Sequence, residues 1–147
     1  PMHEQITHRV KEFEELCHQQ SIPVTVQRRA VFEALVGVTT HPSADEVYDM
    51  VKEVLPGISR TTVYRVLDRL VKMGVVNRLP HPACACRFDG NVQRHHHLVC
   101  RECGQVHDVY DRRYDALPMP TGRLGGFRTD DYSIVFTGVC TDCRNRN

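Results

Sequence analysis

The chain has 147 residues, 41% of them hydrophobic and 25% charged, with a formal net charge of +1. That is room for one ordinary globular domain or two small ones, and no apolar run approaches the ~20 residues that span a bilayer. Seven cysteines is an odd count that fits a metal site better than a disulfide framework, so a reducing cytoplasm is the expected compartment. The N-terminus carries no apolar signal region, and Pro1 ahead of Met2 reads as a cloning scar.

The first predicted helix covers residues 4–20, where Ile6, Val10, Phe13 and Leu16–Cys17 recur at helical spacing. Ser21-Ile22-Pro23 breaks it. Thr25 caps a second helix with Val31, Leu35 and Val36 inward, ending near Gly37. Ser43-Ala-Asp-Glu46 is a capping box that opens a third, through Val47, Met50, Val51 and Leu55. Ser59 caps a fourth, with Val63, Val66, Leu67, Leu70 and Met73 inward and Gly74 as its stop. The third and fourth helices, joined through Pro56-Gly57-Ile58, have the arrangement of a helix-turn-helix.

The outward face of the fourth helix carries Arg60, Thr61, Tyr64, Arg65, Asp68, Arg69 and Lys72. From Arg60 to Arg78 five basic residues stand against one acidic, a local positive stripe in a nearly neutral chain. A solvated basic face is the ordinary explanation of such a stripe. Short hydroxyls, a tyrosine and arginines on the first two turns also suit a major groove, where arginine forks guanine and the others meet thymine methyls or phosphates. Val75–Leu79 and Cys86–Asp89 flank a Pro-His-Pro bend and read as a two-stranded wing. With the wing, the helix is expected to bind DNA through Arg60, Thr61, Tyr64 and Arg65.

Further on, His95-His96-His97 runs straight into Cys100-Arg-Glu-Cys103-Gly104, and Cys140-Thr-Asp-Cys143 closes the chain. Two residues between cysteines let both sulfurs face one side of a tight turn, for which Gly104 supplies the permissive backbone. Cys100, Cys103, Cys140 and Cys143 are therefore expected to hold a structural Zn2+ with no open coordination position. A redox-active pair needs a thioredoxin-like βαβ setting that the sequence lacks. Strand alternation sends His95 and His97 to one face and His96 to the other, so two imidazole ligands are expected here. Asp89, Asp108 and the more distant His41 can join them. Such a nitrogen–oxygen set suits Fe2+, Mn2+, Zn2+ or Ni2+; an exposed strand end with solvated aspartates is the competing reading. Cys84 and Cys86 are read as packed strand residues.

The motifs in order are Val26-Gln-Arg-Arg29, His41-Pro-Ser-Ala-Asp45, Ser59-Arg-Thr-Thr-Val-Tyr-Arg-Val-Leu67, Arg87-Phe-Asp-Gly90, His95-His-His-Leu-Val-Cys-Arg-Glu-Cys-Gly104 and Gly138-Val-Cys-Thr-Asp-Cys143. Together they resemble the ferric uptake regulator (Fur) superfamily of bacterial metal-dependent repressors over nearly the whole chain. Within it the chain is most similar to the peroxide-sensing PerR branch. The resemblance implies an α+β protein: an N-terminal winged helix-turn-helix domain over 1–82, a hinge at about 80–88, and a C-terminal α/β dimerisation domain over 83–147.

By the same resemblance, the four cysteines are zinc ligands. His41, Asp89, His95, His97 and Asp108 form a regulatory site for Fe2+ or Mn2+ that bridges the domains. Tyr64 and Arg65 face operator DNA, and His41 and His95 are the histidines that peroxide oxidises. Expected partners are double-stranded operator DNA and a second copy of the chain, with peroxide as signal; no membrane, no other small-molecule substrate and no enzymatic turnover are expected. Asp89 argues against a zinc sensor, whose relatives tend to place cysteine there. Asp108 and the lack of any histidine after His107 lean away from an iron-uptake repressor, which remains the alternative alongside a manganese-uptake one. In other classes, the rivals are a thiol oxidoreductase at Cys100/Cys103 and a zinc hydrolase or deaminase at the histidine run; the deaminase signature is missing. Prolines and glycines across 116–126 oppose the helix that family members carry there.

Overall fold

A computed structural model describes residues 2–120 and 125–146 and divides the chain into two compact units, 1–92 and 93–147. No described helix is long and apolar enough to cross a membrane.

In the first unit, α1 (Met2–Gln19), α2 (Val26–Val36), α3 (Ala44–Val54) and α4 (Arg60–Lys72) precede a hairpin of β1 (Asn77–His81) and β2 (Cys84–Asp89). The caps follow the expected chemistry: Thr25, Ser43 and Ser59 accept hydrogen bonds from the N–H groups of Arg28, Glu46 and Thr62. α1 ends where Ser21 turns left-handed (φ 54°) and the Ile22 N–H reaches back to the Cys17 carbonyl at 2.8 Å. The same device ends α4, with Gly74 at φ 76° and the Val75 N–H on Leu70.

One apolar cluster joins these elements: Phe13 from α1, Val31, Phe32 and Leu35 from α2, Val47 and Val51 from α3, Val63, Leu67 and Leu70 from α4, then Val76 and Phe88. Phe13 stacks on Phe32 with centroids 4.4 Å apart. Periodicity had not put Phe32 inward, because Val31 and Leu35 already define a stripe and an aromatic beside it widens the face rather than marking it.

The hairpin is antiparallel, pairing Asn77 with Asp89, Arg78 with Phe88, and Leu79 with Arg87, with an irregularity between Leu79 and His81. β1 therefore runs through Pro80, which was expected in the bend; proline lacks a ladder donor and sits at the irregularity, where none is needed. The turn falls at Pro82-Ala83. Because β2 pairs with β1, residues 84–89 belong to the first unit. The observed division at Val92/Gln93 thus lies later than the boundary at 82/83 read from the sequence.

The second unit is a three-stranded sheet in the order β4 (Val106–Val109), β3 (His96–Cys100), β5 (Val135–Gly138), with α5 (Thr141–Arg146) behind it in sequence. β3 pairs antiparallel with β4 and parallel with β5. A parallel pair needs a long return path, and residues 110–134 provide it, with a 3-10 turn at Arg112–Tyr114. The described residues of 116–126 form turn and coil, without helix; residues 121–124 lie outside the described ones.

Candidate metal centres and a DNA-facing helix

Pairing decides where the cysteines go. The parallel register sets Gly138 of β5 opposite Cys100 of β3, so the chain leaving β5 delivers Cys140 beside Cys100. The Cys140 N–H points at the Cys100 sulfur, 3.4 Å away. After β3 the chain turns through Cys103, with the Gly104 N–H on the Cys100 carbonyl at 2.9 Å and Gly104 at φ 75°. Cys143 lies one turn into α5, buried. The four sulfurs all lie within 4.8 Å of one another, and Cys103 Sγ is 3.8 Å from Cys140 Sγ.

A tetrahedron with Zn–S bonds of about 2.3 Å has edges of about 3.8 Å, so the set fits Zn2+. None of these cysteines is in a disulfide. N–H groups of Cys103 and then Cys140 hold the Cys100 thiol down to about 6, while contact with Cys140, followed by burial, pushes Cys143 up to about 12. Four thiols this close resist ionising together, and a divalent cation removes that resistance.

The histidines and aspartates form two groups, one in each unit. In the first, His41 Nε2 is 3.3 Å from Asp89 Oδ2, and both residues are buried. His41 sits at φ 53°, a left-handed conformation that costs about 1 kcal/mol or more outside glycine. Two bonds hold it there: the Phe88 N–H to the Pro42 carbonyl at 2.9 Å, and Arg87 Nη1 to the His41 carbonyl at 3.2 Å. Gly90 fixes Asp89 from the other side. A Cβ there would meet the Leu35 carbonyl oxygen at 2.9 Å, and Arg9 donates to the Gly90 carbonyl at 2.8 Å.

In the second unit, His95 Nε2 and His97 Nε2 each stand 3.5 Å from Asp108 Oδ1. The antiparallel register causes this, since His97 pairs directly with Asp108. His95 donates from Nδ1 to the Gln93 carbonyl at 2.6 Å, which puts the proton on Nδ1 and the lone pair on Nε2. Separations of 3.3–3.5 Å exceed good hydrogen bonds but match polyhedron edges of about 3.4 Å around a metal with bonds of about 2.1 Å. Each group therefore fits as part of a nitrogen–oxygen coordination sphere.

His96 points away, as alternation requires. It is wholly buried, accepts the Ile134 N–H at Nδ1 (3.2 Å) and donates from Nε2 to Asp115 at 3.0 Å. Tyr132 stacks on it, with Arg94 over the Tyr132 ring. Those partners were not legible: Asp115 and Tyr132 are ordinary residues on a long connection.

On α4, Arg60, Thr61, Tyr64 and Arg65 are all exposed on one face. Asp45 of α3 accepts hydrogen bonds from both Arg60 and Tyr64. Arg87 and Gly90, which shape the His41/Asp89 pair, carry no chemical signature of their own in the sequence; only their place in the Arg-Phe-Asp-Gly motif marked them.

A helix-turn-helix with a hairpin wing in one unit, and a four-thiol cluster with an imidazole–carboxylate group in the other, define a metal-responsive transcriptional repressor. The model of the "Ferric uptake regulator family" matches residues 19–137, and the chain belongs to that family. It is 28% identical to the peroxide-responsive repressor PerR of Staphylococcus saprophyticus over 143 residues, covering 97% of each chain. The solved ferric uptake regulator of Helicobacter pylori superposes with TM-score 0.75 over 95% of this chain and 93% of that one, at 18% identity, a likeness of fold. A zinc-bound manganese uptake regulator superposes with TM-score 0.64 over 86% of this chain and 97% of that one, at 28% identity.

Proposed function

We propose that the chain is a peroxide-responsive, metal-dependent repressor. Cys100, Cys103, Cys140 and Cys143 hold a structural Zn2+. His41, Asp89, His95, His97 and Asp108 are the regulatory ligands, for Fe2+ or Mn2+. The observation that carries this reading is the matched pair of groups, each with its own imidazole–carboxylate spacing suited to a metal edge. Similarity to PerR proteins over almost the full chain supports the choice of signal.

Two copies of the chain place their α4 helices in successive major grooves of an operator, about 34 Å apart. Metal occupancy and DNA affinity are linked on this reading by a coupling free energy of typically ~1–3 kcal/mol. Iron held by these residues would supply the redox chemistry toward peroxide. His41 and His95 would each take one oxygen atom from a peroxide molecule whose other oxygen leaves as water, and an imidazole so oxidised would no longer offer Nε2 as a donor. The protein would be consumed by its signal and would not turn over, so it acts on this reading as a regulator and not as an enzyme.

The test is operator binding by the Fe2+- and Mn2+-loaded protein before and after low peroxide, with mass spectrometry of the histidine peptides. The iron form should lose DNA affinity as His41 and His95 each gain one oxygen atom, and the manganese form should resist. Unmodified histidines and intact binding in the iron form would leave a manganese- or iron-uptake repressor, a reading favoured by likeness to the manganese uptake regulator.

A further inference from the structure

Two side chains of the first unit meet at one exposed carboxylate. Asp45, in the first turn of α3, accepts from Arg60 Nη1 and from the Tyr64 hydroxyl, both on the first two turns of α4. The Arg60 guanidinium also lies over the Tyr48 ring, 4.6 Å from its centroid. Tyr64, then Arg60, lower the Asp45 carboxyl below its ordinary value, so the carboxylate stays charged at neutral pH.

Arg60 needs such a partner. It occupies the first position of α4, after the Ser59 cap, where the helix dipole already presents positive charge and a cation is disfavoured. Asp45 offsets that charge and also holds Tyr64, whose side chain is expected to meet base edges. The same carboxylate competes directly with any phosphate that approaches Arg60. Arginine gains phosphate contacts at the expense of its carboxylate contacts, because one planar fork cannot serve both fully.

We infer that Asp45 is a positioning residue that sets the DNA specificity of α4, by taking Arg60 away from non-specific phosphate contact and orienting Tyr64 for base reading. This inference rests on the reading of α4 as the DNA-facing helix. A carboxylate beside the groove penalises every duplex alike, since it repels phosphate and occupies one of the helix's few cations. Only a sequence that rewards the held Tyr64 geometry recovers the loss. Discrimination therefore rises as overall affinity falls.

The experiment uses the full chain loaded with Mn2+ and two probes: a duplex of about 30 base pairs of random sequence, and one of equal length selected from a random pool by the wild-type protein. Binding is measured across salt concentrations. Asp45→Asn keeps a side-chain oxygen for Tyr64 but removes the charge. It should bind the random duplex roughly fivefold to tenfold tighter at about 0.1 M salt, with a log–log salt slope steeper by about 0.9, one extra phosphate neutralised. Asp45→Ala should show the same steepening and also a lower ratio of selected to random affinity.

In an Arg60→Ala background, Asp45→Asn should steepen the slope by clearly less than it does in the wild type, leaving only the direct repulsion of phosphate, a result that a general effect on stability would not produce. Unchanged slope and unchanged random-duplex affinity for Asp45→Asn would overturn the inference, provided Arg65→Ala and Lys72→Ala weaken binding. If those two also leave binding untouched, the reading of α4 itself fails and Asp45 loses its role with it.

Discussion

Residues 2–92 bury Phe13, Phe32, Leu35, Leu67, Leu70 and their neighbours in one continuous cluster, whereas among the described residues of 93–147 the buried apolar ones are Val99 and two of the cysteines. The larger unit behaves as an ordinary small helical domain whose stability comes from apolar area removed from water. The smaller one has three short strands and a six-residue helix. Chains this small seldom close a sufficient core, and they compensate with metals, disulfides or partners. Four converging thiols and the buried His96, held by the surface carboxylate of Asp115, stand where the described residues bury little apolar area. The lesson is that zinc in this protein is a substitute for hydrophobic packing, confined to the part that lacks it.

The sharpest way to break that contrast is to remove one thiolate. Cys143→Ser should release zinc and unfold residues 93–147, since structural zinc contributes on the order of 10 kcal/mol to folding. Hydrogen exchange should show fast amides in β3 and β5, with α2 and α4 still protected. A zinc-free variant with protected β3 and an unchanged melting point would contradict the contrast.

The mirror experiment is Phe32→Ala. Loss of the ring stacked on Phe13 should cost about 3–5 kcal/mol and melt the helical unit first, while zinc content stays the same. Chelators and core mutations should thus act on different halves of the chain, as separate transitions in calorimetry.

Gly90→Ala tests the join between packing and chemistry. The added methyl has no space beneath the Leu35 carbonyl, so β2 must shift, at about 1–3 kcal/mol. Because Asp89 is the adjacent residue, Mn2+ affinity should fall along with the melting temperature. Zinc binding should not change.

Smaller still is Ser59→Ala, which removes the cap of α4 and should cost about 1 kcal/mol. The expected readout is a modest drop in melting temperature of the helical unit, with the zinc unit unaffected. Tyr132→Phe removes a hydroxyl that donates to the Tyr114 carbonyl at 2.5 Å and accepts the Leu117 N–H at 2.8 Å. A loss of about 1 kcal/mol is expected, seen in the zinc unit alone.

Four helices with their caps, the wing and the sheet position of the histidine run were legible because they rest on short-range rules. Caps act over three residues, helical stripes over seven, and strand alternation over two. The cysteine pairs were legible for the same reason, as each is a local turn. Pro80 was misread because a bulge is a property of two paired strands, and the compact units divide after β2 because β2 pairs with β1.

What lay beyond the sequence has one physical cause. Hydrogen bonds between residues far apart in the chain leave no periodic trace. The Phe88 N–H on Pro42, Arg87 on the His41 carbonyl, His96 between Ile134 and Asp115, and Asp45 between Arg60 and Tyr64 all join ordinary residues across intervening elements. Residue type and spacing alone determined which chemistry this protein can hold: thiolates for zinc, imidazoles with carboxylates for a harder metal, a basic face for DNA. The tertiary structure decided which of those groups meet, at what distance and with which side chains holding them, because a backbone register between distant strands is settled by packing and not by any local preference.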